Sequence, residues 1–191
     1  MAAKNIMIVG VGGQGTLLTS RVLGGIATCA GYDVKLSEVH GMAQRGGSVV
    51  TFVRYGEKVA EPIVEEGQAD VLIAFERLEA LRYAHFLKKD GALIVNDWRI
   101  DPMPVVIGAA EYPEGLIEKL TAAGAKVDAK DFLALAEEAG SSKAVNIALM
   151  GRFSTYFPDI TDEQWQDAIE KNVPAKFLEL NRKAFELGRN A

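Results

Sequence analysis

An apolar run of strand length that ends in GVGGQG and opens at once into a helical stretch is the feature that leaves this chain the fewest options. Gly10, Gly12 and Gly15 stand at the G-x-G-x-x-G spacing, directly after residues 5–9, which read as a short buried strand, and at the head of residues 14–30, which read as a helix. The spacing has a physical reason. One glycine permits a tight turn, a second lets a phosphate approach the backbone, and a third lets helix and strand pack closely. The helix N-terminus, with its unpaired N–H groups, favours an anion. Gly31 stops the helix and residues 32–39 read as a second strand, so the opening is expected to be a right-handed βαβ unit in a parallel sheet. The predicted fold class is α/β: a Rossmann-like, mostly parallel sheet flanked by helices.

After the second strand comes a polar, glycine-rich connection, residues 40–47. Residues 48–55 have strand composition, and Gly56 turns into residues 58–60, which predicts a β-hairpin after strand 2. Residues 69–75 and 91–95 are continuous apolar runs of strand length, and residues 76–89 between them have helical periodicity. Asp101-Pro102-Met103-Pro104 is a breaker, followed by a short strand candidate at residues 105–107. Residues 114–123 read as a helix, 125–128 as a last edge strand and 129–140 as another helix. From Ser142 onward the chain reads as a helical C-terminus, with helices at 146–156, 161–169 and 174–187 started by Thr161 and Val173-Pro174. With 191 residues, 49% of them hydrophobic, one core and one domain spanning residues 1–191 are expected.

A net charge of −5 and no basic stripe argue against nucleic acid as a partner. The N-terminal apolar run is too short for a signal peptide core or a membrane span, so no membrane association and a cytoplasmic location are expected. One cysteine, Cys29, excludes an internal disulfide and any iron–sulfur cluster held by this chain alone. Two histidines, His40 and His85, without HExxH or clustered carboxylates, argue against a metal site.

Two segments are candidates for chemistry. Gly10, Gly12, Gly13, Gln14 and Gly15 form the first, with Glu38 placed roughly where a ribose-binding acid stands in an NAD protein. Taken alone, that set allows a free-standing NAD- or flavin-binding Rossmann protein. The remaining chain is nevertheless short for a substrate domain and shows no accompanying set of acid, base or nucleophile. The same glycines equally allow plain tight packing of the first strand and helix. The second segment runs from Glu38 through His40, Gly41, Gln44, Arg45, Gly46 and Gly47 to Ser48. Small residues there surround an imidazole, an amide and a guanidinium. Arg45 suits a carboxylate or phosphate, while His40 or Gln44 suits a carbonyl or amide. A subunit interface fits this composition as well as a pocket does. His85 reads as structural, Asp97-Trp98-Arg99 as either a partner contact or an ordinary loop, and Asn146 as a cap or a bridge to backbone near the glycine turn.

GVGGQGTLLTSRVL and EVHGMAQRGGSV together resemble the gamma-type domain of the 2-oxoacid:ferredoxin oxidoreductases. The likeness covers essentially the whole chain, including ADVLIAFE, GALIVN and SSKAVNIALMG, and is nearest to the indolepyruvate branch of that family. The resemblance implies a divided machinery. Thiamine diphosphate, magnesium and iron–sulfur clusters would belong to a large alpha subunit, and this chain would hold no cofactor itself. The complex would convert an arylpyruvate, coenzyme A and oxidised ferredoxin to the arylacetyl-CoA, carbon dioxide and reduced ferredoxin, in anaerobic metabolism. This chain agrees in lacking a GDG…N diphosphate motif and a cysteine set. On this reading the glycine turn and the 40–48 loop lie against the large subunit, near its thiamine site.

Overall fold

A computed structural model describes residues 3–41, 46–158 and 160–191. The strands are β1 (Lys4–Val11), β2 (Asp33–His40), β3 (Ser48–Gly56), β4 (Ala69–Ala74), β5 (Leu87–Asn96) and β6 (Lys126–Lys130). They form one six-stranded sheet in the order β2-β3-β1-β4-β5-β6. β1, β4, β5 and β6 are mutually parallel neighbours, while β3 runs antiparallel to both β1 and β2. The helices are α1 (Thr16–Cys29), α2 (Arg77–Tyr83), α3 (Met103–Val106), α4 (Leu116–Ala122), α5 (Phe132–Ala139), α6 (Val145–Ser154), α7 (Asp162–Asn172) and α8 (Leu178–Arg189). The expected mostly parallel sheet, flanking helices and helical C-terminus are all present. Among the described residues, no helix is long and apolar enough to cross a membrane.

Alternation along the central strands divides the core in two. Ile6, Ile8, Val71, Ile73 and Ile94 face a layer of α1, α5, α6, α7 and α8, where Trp165 is fully buried against Phe153 and Phe185. Met7, Val9, Phe52, Leu72 and Leu93 face the thinner layer of α2 and α4. Each such side chain contributes about 1.5–3 kcal/mol by leaving water. Gly31, at φ 82°, closes α1 as expected, and Thr161 starts α7 with a capping box completed by Gln164.

β1 and β2 both run antiparallel to β3 and so parallel to each other, with β3 between them. Three sequence expectations require correction. The connection from β2 to β3 is too short for a parallel crossover, so the two strands must pair antiparallel. The near-continuous apolar run of β3 then suits an inner position, while the charged DVKLSEVH of β2 suits the edge. The hairpin after strand 2 is accordingly β2 with β3; residues 58–60 form no strand. The backbone N–H of Val59 donates instead to Asp33, 2.9 Å away. Residues 105–107 do not form a strand, since Pro102 and Pro104 set up the first turn of α3 and the N–H groups of Val105 and Val106 close on the Pro102 carbonyl. Residues 87–89 open β5 rather than ending a helix, because α2 stops at Tyr83 and one 3₁₀ turn carries the chain across.

Where α6 crosses α8, two glycines face each other's backbone. A Cβ on Gly151 would collide with the Phe185 carbonyl, and one on Gly188 with the Ala148 carbonyl. Neither obstacle is a flexible side-chain end. We expect Gly151→Ala or Gly188→Ala to cost about 3 kcal/mol, a fall of roughly 6–12 °C in Tm for a chain of this size. Gly25→Ala, in α1 with only Asn172 at 4.0 Å, should raise stability by about 0.5–1 kcal/mol. Thermal denaturation of the three variants measures both signs.

Candidate functional site

Gly10 belongs to β1, not to the turn, and pairs with Val49. Its missing side chain leaves room for Gln14 and Phe75, which a Cβ would meet at 2.8 and 3.0 Å. Gly13 and Gly15 take the conformations that other residues resist, with φ 102° and 86°. Gly15 also brings α1 against α6, where a Cβ would lie 3.0 Å from the Asn146 amide nitrogen. Asn146 is thus beside the turn as expected, buried, with its oxygen accepting from the Ile147 N–H at 2.9 Å. Gln14 spends its amide on the turn itself. Its oxygen accepts from the Val11 N–H at 2.7 Å and its nitrogen donates to the Phe75 carbonyl at 3.0 Å. It is a staple between the ends of β1 and β4.

The backbone N–H of Gly12 donates to the Gly47 carbonyl at 2.8 Å, and Ser48 pairs with Val11 as β3 begins. These contacts bring the glycine turn and the base of the 40–48 loop together at the carboxyl end of the sheet. A cleft of about 250 Å³ lies there, lined by Gly12, Gly13, Gly15, Thr16, Leu17, Glu38, His40 and Val49. No side chain caps the start of α1, so its positive end favours negative charge in the cleft. Glu38 stands on the opposite wall, accepting a hydrogen bond from Thr51 at 3.2 Å. His40 is exposed, with Nδ1 3.1 Å from the Gly41 carbonyl oxygen. Gln44 and Arg45 lie outside the described residues.

This arrangement departs from a dinucleotide site. There the acid ends the strand next to β1; here β3 intervenes, which moves Glu38 one strand spacing, about 4.8 Å, further out. Gly12, which would admit a phosphate, already donates its N–H to Gly47. Across the turn, a second cleft of about 350 Å³ is lined by Gly13, Gln14, Asn96, Trp98, Lys143 and Asn146 among others.

Sequence reading missed a buried polar cluster beside Ser48. Glu76 is 1% exposed. One of its oxygens caps α2 by accepting from Leu78 and Glu79 N–H at 2.6 and 3.0 Å, and the other accepts from Ile100 N–H at 3.2 Å and from the Tyr112 hydroxyl. Glu79 accepts from Ser48 Oγ at 2.5 Å and lies 3.3 Å from the Arg82 guanidinium. Ser48 is also 3.1 Å from the Tyr83 hydroxyl. Burial pushes the Glu79 carboxyl above its ordinary range, while Ser48 and Arg82 pull the other way and Glu76 adds to the rise. A cavity of about 320 Å³ opens over this cluster, with Val11, Gly46, Leu78, Ile100, Pro102, Met103 and Pro104 in its walls. Its only sequence signal was FERLE, an acid directly after a strand at an N-cap position. His85 is exposed and stacks on Phe86 with 4.6 Å between ring centroids; Asp97 pairs with Arg77.

The sequence profile of the family described as pyruvate ferredoxin/flavodoxin oxidoreductase matches residues 5–191. The chain is 44% identical over 198 residues to the indolepyruvate oxidoreductase subunit IorB of Thermococcus kodakarensis, covering 100% of this chain and 96% of that protein. It is likewise 44% identical over 192 residues to the subunit of the same name from Archaeoglobus fulgidus, covering 97% and 94%. Among solved structures, the gamma subunit of a keto/oxoacid ferredoxin oxidoreductase from Geobacter sulfurreducens PCA aligns with a TM-score of 0.72 at 25% identity, over 98% of this chain and 96% of that one.

Two measurements check the site's construction. Gln14→Ala removes two hydrogen bonds from the turn and should cost about 1–3 kcal/mol in denaturant unfolding. Glu79 has a folded pKa above its ordinary 4.5, so its contribution is fully present below that pH and is lost as pH rises through the folded value. Glu79→Gln cannot titrate. Its stability relative to wild type should therefore improve from pH 4.5 to neutral pH, as denaturation at both values will read.

Proposed function

Because the chain belongs to the pyruvate ferredoxin/flavodoxin oxidoreductase family, as a small subunit of the indolepyruvate type, we propose that residues 1–191 act as one gamma-type domain completing a large alpha subunit in the cytoplasm. The observation that carries this reading is likeness at 44% identity along the full length to relatives named as indolepyruvate oxidoreductase subunits. The reaction oxidatively decarboxylates an arylpyruvate. The bond to the carboxyl carbon breaks and carbon dioxide leaves, the acyl carbon forms a thioester with coenzyme A as the thiol releases its proton, and the two electrons reduce oxidised ferredoxin.

Thiamine diphosphate with magnesium, held by the partner, supplies the electron sink for that bond cleavage, and iron–sulfur clusters of the partner carry the electrons. This chain's single cysteine is exposed at the end of α1, and its described residues offer no cluster of metal-ligating side chains. Its own share is to bind and orient. The glycine turn, with Gly12 tied to Gly47 and Gln14 tied to Phe75, holds a rigid wall whose helix N-terminus faces the cleft. The loop containing His40, Gln44 and Arg45 supplies donors for the carboxylate of the 2-oxoacid or the phosphates of coenzyme A. The dinucleotide-binding alternative draws no support from the sheet order or from the relatives.

Mixing the purified chain with its large subunit should give arylpyruvate- and coenzyme A-dependent reduction of ferredoxin or a viologen dye that neither subunit shows alone. In the assembled complex, alanine at Gln44 or Arg45 should lower the rate roughly 10- to 100-fold, the loss expected for a hydrogen bond to a charged group. A rate untouched by both substitutions rejects the role given to the loop.

A further inference from the structure

The segment after β5 has no part yet in the site. Residues 103–110 read MPVVIGAA, a stretch without a charge, hydroxyl or amide side chain. Met103, Val106 and Ile107 are 67%, 65% and 69% exposed, more than any other large hydrophobic residue among those described. A slack linker would leave its backbone to water, but this one closes on itself. The N–H groups of Val105 and Val106 donate to Pro102, that of Ile107 to Met103, and those of Ala109 and Ala110 to Pro104. Both ends are held by one carboxylate, since Glu76 accepts from the Ile100 N–H and from the Tyr112 hydroxyl, and the Arg99 guanidinium stacks 4.4 Å over the Tyr112 ring. Residues 100–112 thus form a compact projecting lobe with a rigid base and an apolar tip.

Exposed apolar surface kept in this way marks an interaction site. We propose that the lobe is the knob by which this chain seats in an apolar groove of the large subunit, an inference that rests on the small-subunit reading. Position supports that occupant: Pro102, Met103 and Pro104 border the same cavity as Val11, Gly46 and Ser48, so the lobe adjoins the end of β1 and the start of β3 at the rim of the candidate site. Area supports it as well. The tip is a small patch of three exposed apolar side chains, whereas a stable pairing of two copies needs about 800 Å² from each. A knob of this size works as the anchor within a larger contact, which the rim provides, and not as a self-sufficient interface.

The test is the affinity of the full chain for the purified large subunit, by calorimetry or sedimentation, for wild type, Ile107→Asp and Met103→Ser/Val106→Ser. The substituted side chains are exposed, so the isolated variants should keep the wild-type Tm and circular dichroism. The dissociation constant should rise roughly 30-fold or more, as for a buried anchor residue. Wild-type affinity in both variants, with a wild-type chain that binds normally, overturns the lobe's role and leaves the small-subunit reading standing. A wild-type chain that fails to bind the large subunit overturns both. Self-association of the isolated wild-type chain that Ile107→Asp abolishes overturns the proposal in favour of a second copy as occupant.

Discussion

The placement of β3 between β1 and β2 is the constraint on which the rest of the molecule depends. Once the short connection forces β2 and β3 to pair antiparallel, the more apolar β3 takes the interior and β2 the edge. Only this order lets Ser48 pair with Val11 and the Gly47 carbonyl reach the Gly12 N–H. In a sheet with β2 directly beside β1, the end of β2 and not the start of β3 would face the glycine turn, and the hydrogen bond from Gly12 to Gly47 would be lost. The fold therefore converts a phosphate-binding pattern in sequence into a wall shared by a turn and a hairpin.

Polar groups at this end of the sheet are spent mostly on backbone. Gln14, Asn96 and Glu76 each satisfy donors or acceptors from at least two different segments; Asn96, for example, donates to the Phe75 carbonyl and accepts from the Phe132 N–H. Buried polar atoms are costly unless paired, so these side chains fix the loops around the clefts more firmly than apolar packing could. Among the described residues, the helix start, the edge of β2 and the apolar lobe are open to something outside the chain.

Much of this was legible in the sequence, for reasons that separate by range. Local signals held: the glycine spacing located the turn, Gly31 the end of α1, and Thr161 the start of α7. The likeness in the two motifs gave the family. Pairing order did not show, because nothing local in GSVVTFVRYG says which neighbour it will take. The β-branched run at 105–107 suggested a strand, yet the prolines before it favoured a helical turn. Glu76 and Tyr112 are ordinary residues far apart in sequence, and only the fold makes them a clamp. Gly151 and Gly188 look like helix weaknesses until the crossing of α6 and α8 shows that each occupies the one place where a methyl group has no room.

The positions of the two tryptophans give the molecule separate built-in light signals. Trp165 is sealed in the helical layer against Phe153 and Phe185, where its emission reports on the integrity of the fold. Trp98 is 41% exposed on the wall of the cleft that Gly13 and Gln14 share. Its emission responds to whatever displaces the solvent at that rim. One unlabelled sample thus distinguishes unfolding, which shifts the blue emission of the buried indole, from occupation of the rim, which shifts the red emission of the exposed one.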